Sequence, residues 1–183
     1  MPLAVVSAKQ SAASLSLCLI LSLALAGCGF QLRGAASVPE AIQPLALKCA
    51  PPVPDRLCRA VENQLELGKV SMASVSEAAT ILELSDFRQE RRANAVTARA
   101  AAAEYTLRHS IGMEVISANQ TPLLATDRVT STETYRYDET NVLAKQLEED
   151  AIQGQLAERL AQQVLFRLAP LNQTRLDALE AAQ

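Results

Sequence analysis

Glu104–Ser117, EYTLRHSIGMEVIS, is the stretch on which the fold turns. Tyr105, Leu107, His109, Ile111, Met113 and Val115 alternate with Glu104, Thr106, Arg108, Ser110 and Glu114. Successive side chains of an extended chain point to opposite faces, so a strict period of two predicts a half-buried β-strand. Asn119-Gln120-Thr121-Pro122 follows as a turn. Leu124–Tyr137 then repeats the alternation, with Val129, Tyr135 and Tyr137 on one face. Arg128, Thr130, Thr132, Thr134 and Arg136 take the other, which is uniformly polar.

The flanks extend this pair in both directions. Ala79–Arg92, with Ile81, Leu82, Leu84 and Phe87, predicts a further strand, and Ala93–Ala103 a hairpin connection. Leu45–Cys49 reads as a short strand entering the core. Asp55 is placed to cap a helix to Leu67, with Leu57, Ala60, Val61 and Leu65 on one face and Gly68 at its stop. A short strand near Lys69–Met72 comes next. Asn141 is expected to cap a long helix to about Ala169, its apolar stripe running Leu143, Leu147, Ala151, Leu156, Leu160, Val164, Leu168. Ile152, Ala157, Ala161 and Leu165 broaden that stripe. Glu148, Glu149 and Asp150 early and Arg159 and Arg167 late suit the helix dipole, so the acidic run reads as a solvated face. Pro170 ends the helix, and 170–183 reads as a frayed tail. The element order predicts an α+β fold: two helices on one face of a mostly antiparallel, mixed four-stranded sheet, its other face open.

Composition limits the chemistry. The chain has 183 residues and a formal charge of −3, too balanced for a sequence-blind nucleic-acid binder. Hydrophobic residues make up 49%, which excludes a wholly disordered chain. A single histidine makes His-based metal sites and Ser-His or Cys-His catalysis poor expectations. His109 lies on the apolar strand face with no nucleophile placed by a motif, and reads as a satisfied structural histidine. No glycine-rich phosphate loop or nucleophile elbow occurs. No enzyme activity, metal or cofactor is expected.

Residues 1–27 read as an address to be removed. The apolar run Leu15–Ala26 would rise about 18 Å as helix, short of a hydrocarbon core of about 30 Å. It is therefore expected to be a signal-peptide core. Leu25-Ala26-Gly27-Cys28 resembles a bacterial lipobox, in which the cysteine is diacylated and becomes the first mature residue. Cys28 is thus the expected lipid anchor, and multiple acyl chains give stable membrane attachment. Gly29 after it, rather than Asp, favours the outer membrane. Residues 28–43 read as an acylated tether and 44–169 as the folded domain. Cys49 and Cys58 remain, separated by a segment with Pro51, Pro52 and Pro54. In the oxidising periplasm they are expected to form a disulfide closing a loop of about 10 residues, stabilising by roughly 2–3 kcal/mol.

From residue 81 to 140 every cation is an arginine: Arg88, Arg91, Arg92, Arg99, Arg108, Arg128 and Arg136. Guanidinium is a planar fork that matches phosphate bidentately, whereas ammonium is a point charge. Arg128 and Arg136 share one strand face, roughly 26 Å apart at about 3.3 Å per residue.

Cys28-Gly29-Phe30-Gln31-Leu32-Arg33-Gly34 resembles the mature start of the LptE family of lipopolysaccharide-assembly lipoproteins. Ser37-Val38-Pro39, the helix Leu57–Leu67, Ala103-Glu104-Tyr105, Tyr135-Arg136-Tyr137-Asp138, Asn141–Lys145 and Leu160–Leu168 continue the resemblance in order. Gln31 stands where the family typically has histidine. The resemblance implies a non-enzymatic protein seated in the lumen of the outer-membrane β-barrel LptD, as plug and assembly partner, that also binds lipopolysaccharide. Arg99 falls near the family's basic region, and with Arg128 and Arg136 it is the expected contact for lipid A phosphates. Two other classes fit the residues: a generic outer-membrane lipoprotein scaffolding another envelope complex, and a lipid carrier with an apolar cavity.

Overall fold

The computed structural model describes residues 37–96, 102–137 and 141–181. Cys28 and Arg99 therefore lie outside the described residues, as do the signal segment and most of the tether. After a single 3-10 turn at Glu40–Ile42 come β1 (Leu45–Cys49), α1 (Asp55–Leu67), β2 (Thr80–Val96), β3 (Ala102–Ser117), β4 (Pro122–Arg136), α2 (Val142–Leu168) and α3 (Gln173–Glu180). The strands lie in the order β1-β2-β3-β4. β1 runs parallel to β2, and the other two pairings are antiparallel. This is the mixed four-stranded α+β sheet expected from the alternation, with the polar face of β4 turned away from the helices.

The core forms where the apolar faces meet. Leu82 and Leu84 of β2 and Ile111, Met113 and Val115 of β3 pack on Leu57, Val61 and Leu65 of α1 and on Leu160, Val164 and Leu168 of α2. Val38 and Ile42 belong to this core too, so packing begins before Pro44. Cys49 and Cys58 bring their sulfurs into bonding contact across Cα atoms 6.4 Å apart, tying the end of β1 to the first turns of α1.

One irregularity organises the sheet. The β2–β3 register shifts between Ser85 and Arg88, and Asp86 takes a left-handed φ of 48°, a conformation Asp adopts more readily than most residues. Leu82 and Leu84 face the core before the bulge, whereas Phe87 and Arg91 face the helices after it. The bulge thus exchanges even for odd positions, which explains why Leu82, Leu84 and Phe87 keep no single alternation, while Ile81 faces the other way and packs on Ala46 and Ala78. Gly112 sits beneath it, because a Cβ there would lie 3.2 Å from the Ser85 carbonyl oxygen.

Several expectations are corrected. The Lys69–Met72 strand reduces to one parallel bridge, Leu45 to Met72. The Ala93–Ala103 connection is shorter, since β2 continues to Val96 and β3 begins at Ala102. Pro54, not Asp55, precedes α1, and Asn141 makes no side-chain cap to α2. Residues 170–183 are not simply frayed: Leu171 is buried, and Asn172 caps α3 by accepting from the Arg175 amide at 3.0 Å.

The long apolar stripe is in fact two. Leu143 and Leu147 are 76% and 75% exposed, whereas Leu156, Leu160, Val164 and Leu168 are fully buried. Ala151 and Leu156 are five positions apart, about 140° around a helix beyond one full turn, so the first three members point away from the sheet. The distinction is measurable by urea denaturation. Leu156→Ala is expected to cost about 2–5 kcal/mol, and Leu143→Ala less than about 0.5 kcal/mol. Equal losses would contradict the helix orientation.

Candidate functional site

The open face of the sheet follows from the register. Arg88, Glu90 and Arg92 of β2 lie opposite Ser110, Arg108 and Thr106 of β3. Those residues lie opposite Thr130, Thr132 and Thr134 of β4, with Gly112–Arg128 and Glu104–Arg136 at the two ends. Residues directly paired in an antiparallel ladder share a face, so Arg88, Arg92, Arg108, Arg128 and Arg136 all stand on the side without helices. Threonines fill the positions between them, and Thr106 and Thr134 hydroxyls lie 2.9 Å apart. Glu83, Glu90, Glu104 and Glu114 are the acids of this face, with Asp86 at the bulge.

The two described arginines expected to contact phosphate are not equivalent. Arg128 pairs with the Asp86 carboxylate and donates to the Asp86 carbonyl at 3.2 Å and to Ser110 Oγ at 3.1 Å. Its guanidinium therefore holds the bulge closed. Asp86 also accepts from Arg88 Nε at 3.1 Å and Nη2 at 3.0 Å. These Arg88 bonds, helped by Arg128 and opposed by partial desolvation, hold the Asp86 carboxyl below its ordinary range. Arg136, by contrast, is exposed at the far end of β4, on the same face as Arg92 and Arg108.

A second constellation, missed by sequence reading, lies on the helix side at that same far end. All three tyrosines of the chain meet there. Tyr105 and Tyr135 stack with centroids 6.0 Å apart, and Tyr137 meets Tyr105 edge-on at 5.4 Å. The Arg91 guanidinium lies 3.8 Å above the Tyr105 ring and 3.6 Å from Glu149 Oε2. Tyr135 donates its hydroxyl to Glu149 Oε2 at 2.5 Å. The acidic run of α2 is thus not merely solvated: Glu149 binds Tyr135 and Arg91, and Asp150 binds Arg56 at 2.7 Å. Strand alternation separates Arg91 from Arg88 and Arg92, a signal present in the sequence.

His109 is buried as expected, but it is not satisfied. Among the described residues its Nε2 atom has no hydrogen-bond partner. Phe87 meets it edge-on at 5.4 Å. Among the described residues, no group of three His, Cys, Asp or Glu side chains could hold a metal ion, and no helix is long and apolar enough to cross a membrane.

Burial, and next the hydrogen bond donated to Glu149, push Tyr135 up from 10.0 to about 12, against an opposing effect of Arg91. Because the folded-state value is raised, this contribution to stability is complete below pH 10 and lost as pH rises through about 12. Absorbance titration of the phenolates should therefore show one tyrosine ionising near pH 12, a step absent from Tyr135→Phe. Absence of that step in the wild-type chain would show that Tyr135 is not held buried against Glu149.

Comparison with known proteins converges on one group. The family model described as "LptE: Lipopolysaccharide-assembly" matches residues 40–168. The chain is 30% identical over 161 residues to the LPS-assembly lipoprotein LptE of Pectobacterium atrosepticum, covering 84% of this chain and 85% of that one. The fold is similar to an uncharacterized lipoprotein B from Nitrosomonas europaea, with a TM-score of 0.61 at 16% identity, over 75% of this chain and 88% of that one. Rare lipoprotein B from Shewanella oneidensis superposes with a TM-score of 0.58 at 20% identity, covering 69% and 93%. The family match runs from the 3-10 turn to the last residue of α2, the whole sandwich around the sheet, and on that ground the chain belongs to the LptE family.

Proposed function

We propose that this protein is a non-enzymatic outer-membrane lipoprotein, acylated at Cys28, that works with the β-barrel LptD to place lipopolysaccharide in the outer leaflet. It acts as plug and assembly partner within the barrel and binds lipopolysaccharide itself. The observation that carries the reading is the family match over residues 40–168, which spans the four strands and both long helices. The physical form supports it. Two helices brace one side of the sheet, and the disulfide proposed between Cys49 and Cys58 fastens β1 to α1, so the unit is stiff enough to fill a lumen.

For glycolipid contact the proposal keeps Arg99, Arg128 and Arg136 but ranks them by geometry. Arg136, with Arg92 and Arg108 on the open face, presents guanidinium forks to solvent. Arg128 contributes charge while remaining bonded to Asp86. Forked cations spaced along a threonine-lined face suit the paired phosphates of lipid A.

The double variant Arg108→Glu/Arg136→Glu is expected to weaken lipopolysaccharide binding by about tenfold or more, as the loss of charge-assisted hydrogen bonds entails. Its unfolding midpoint should be unchanged, and wild-type binding should weaken as salt rises. Arg128→Glu should instead lower the unfolding midpoint. Undiminished binding by the double variant would overturn the assignment of this face.

A further inference from the structure

The bulge that redirects β2 also opens a cleft between the sheet and the two long helices. Its volume is about 320 Å³, room for about ten non-hydrogen atoms at roughly 30 Å³ each. Phe87, Leu57, Ala157 and Leu160 make apolar walls, and Pro54 with Arg56 brings in the first turn of α1. His109 lines the cleft and is only 4% exposed.

Three features favour an anion. His109 Nε2 is buried without a partner, although Arg56, Gln89 and Gln153 line the same cleft. A buried polar atom left so is destabilising, a penalty that a ligand removes. The thirteen-residue α1 begins at Asp55 with no side-chain cap from Pro54, and its positive dipole end lies where Pro54, Arg56 and Leu57 line the cleft. Arg56 sits at the mouth, donating to the Asp150 carbonyl at 3.2 Å and carboxylate at 2.7 Å. Five donors on a guanidinium leave it capacity beyond Asp150. The apolar walls in turn require a ligand with a hydrocarbon body.

We infer that this cleft binds an amphipathic carboxylate of medium acyl length, its head between His109 Nε2–H, Arg56 and the uncapped turn of α1, and its chain against Phe87, Leu57 and Leu160. Burial, and secondarily the Arg56 charge, hold the empty-site imidazole below its ordinary value. A carboxylate beside it reverses that influence by stabilising the imidazolium. Arg56 from α1 and the Asp150 of α2 that pairs with it are the charges at the mouth; the Glu133–Arg159 ion pair lies farther along the same side.

Because His109 is the only histidine, its ring resonance reports on the cleft alone. The experiment is an NMR titration of the full-length chain in detergent, with labelled histidine and free octanoate fixed by dialysis. Octanoate is expected to shift the His109 signal saturably and to move its titration midpoint to higher pH, whereas octanol leaves the midpoint in place. Gln153→Trp, from the cleft wall, should weaken octanoate binding about tenfold or more; if that variant does not fold, Gln89→Trp tests the same wall. No saturable shift, an equal effect of octanol on the midpoint, or undiminished affinity in a folded tryptophan variant would each overturn the inference.

Discussion

The ion pair between Arg128 and Asp86 is the contact on which the sheet's division depends. A strand as long as β2 would ordinarily keep one parity toward the helices throughout. Here the chain steps through a left-handed residue at Asp86, and that step changes which positions face inward up to the further shifts at Ala93–Val96. Arg128 reaches across from β4 to hold both the carboxylate and the carbonyl of that residue. Gly112 leaves room for the displaced Ser85 backbone beneath it. Without the step, Arg88 and Glu90 would face the helices, and Phe87 and Arg91 would face water.

That single exchange divides the sandwich into two halves with different physics. On the β1 side of the step, Leu82, Leu84, Met113 and Val115 are sealed against both helices, and stability there is aliphatic burial. Beyond it the helix-facing positions carry His109, Arg91 and the tyrosines, and burial of Leu107, Ile152 and Leu156 is joined by stacking, a cation over a ring and the Tyr135 hydrogen bond to Glu149. Arg56–Asp150 joins α1 to α2 where the halves meet. The first two turns of α2 project past this region with Val142, Leu143 and Leu147 exposed. The half beyond the step carries Arg88, Arg91, Arg92, Arg108 and Arg136 of the sheet and the cleft beside His109.

Much of this was legible in the chain itself. The period-two run at Glu104–Ser117 and its partner strand define the sheet's two faces, and the spacing Leu57, Val61, Leu65 with Gly68 places α1 to within a residue at its start. What escaped depends on tertiary context. A bulge appears in sequence only as a break in alternation, and at Ser85-Asp86-Phe87 that break resembles the end of a strand. The five-residue gap between Ala151 and Leu156 was hidden by leucines that look continuous on paper. Arg128 was legible as a surface cation, but its bond to Asp86 joins residues 42 positions apart. The vacant hydrogen-bonding position on His109 could not be read from alternation, which reports burial and not partnership.

The proposed place within the barrel rests on the family match over residues 40–168. The direct test is to isolate the full-length protein from outer membranes in mild detergent through a C-terminal tag and to quantify what accompanies it. The account predicts LptD in near-equal amount with the bait. A folded, acylated bait recovered without the barrel would contradict it.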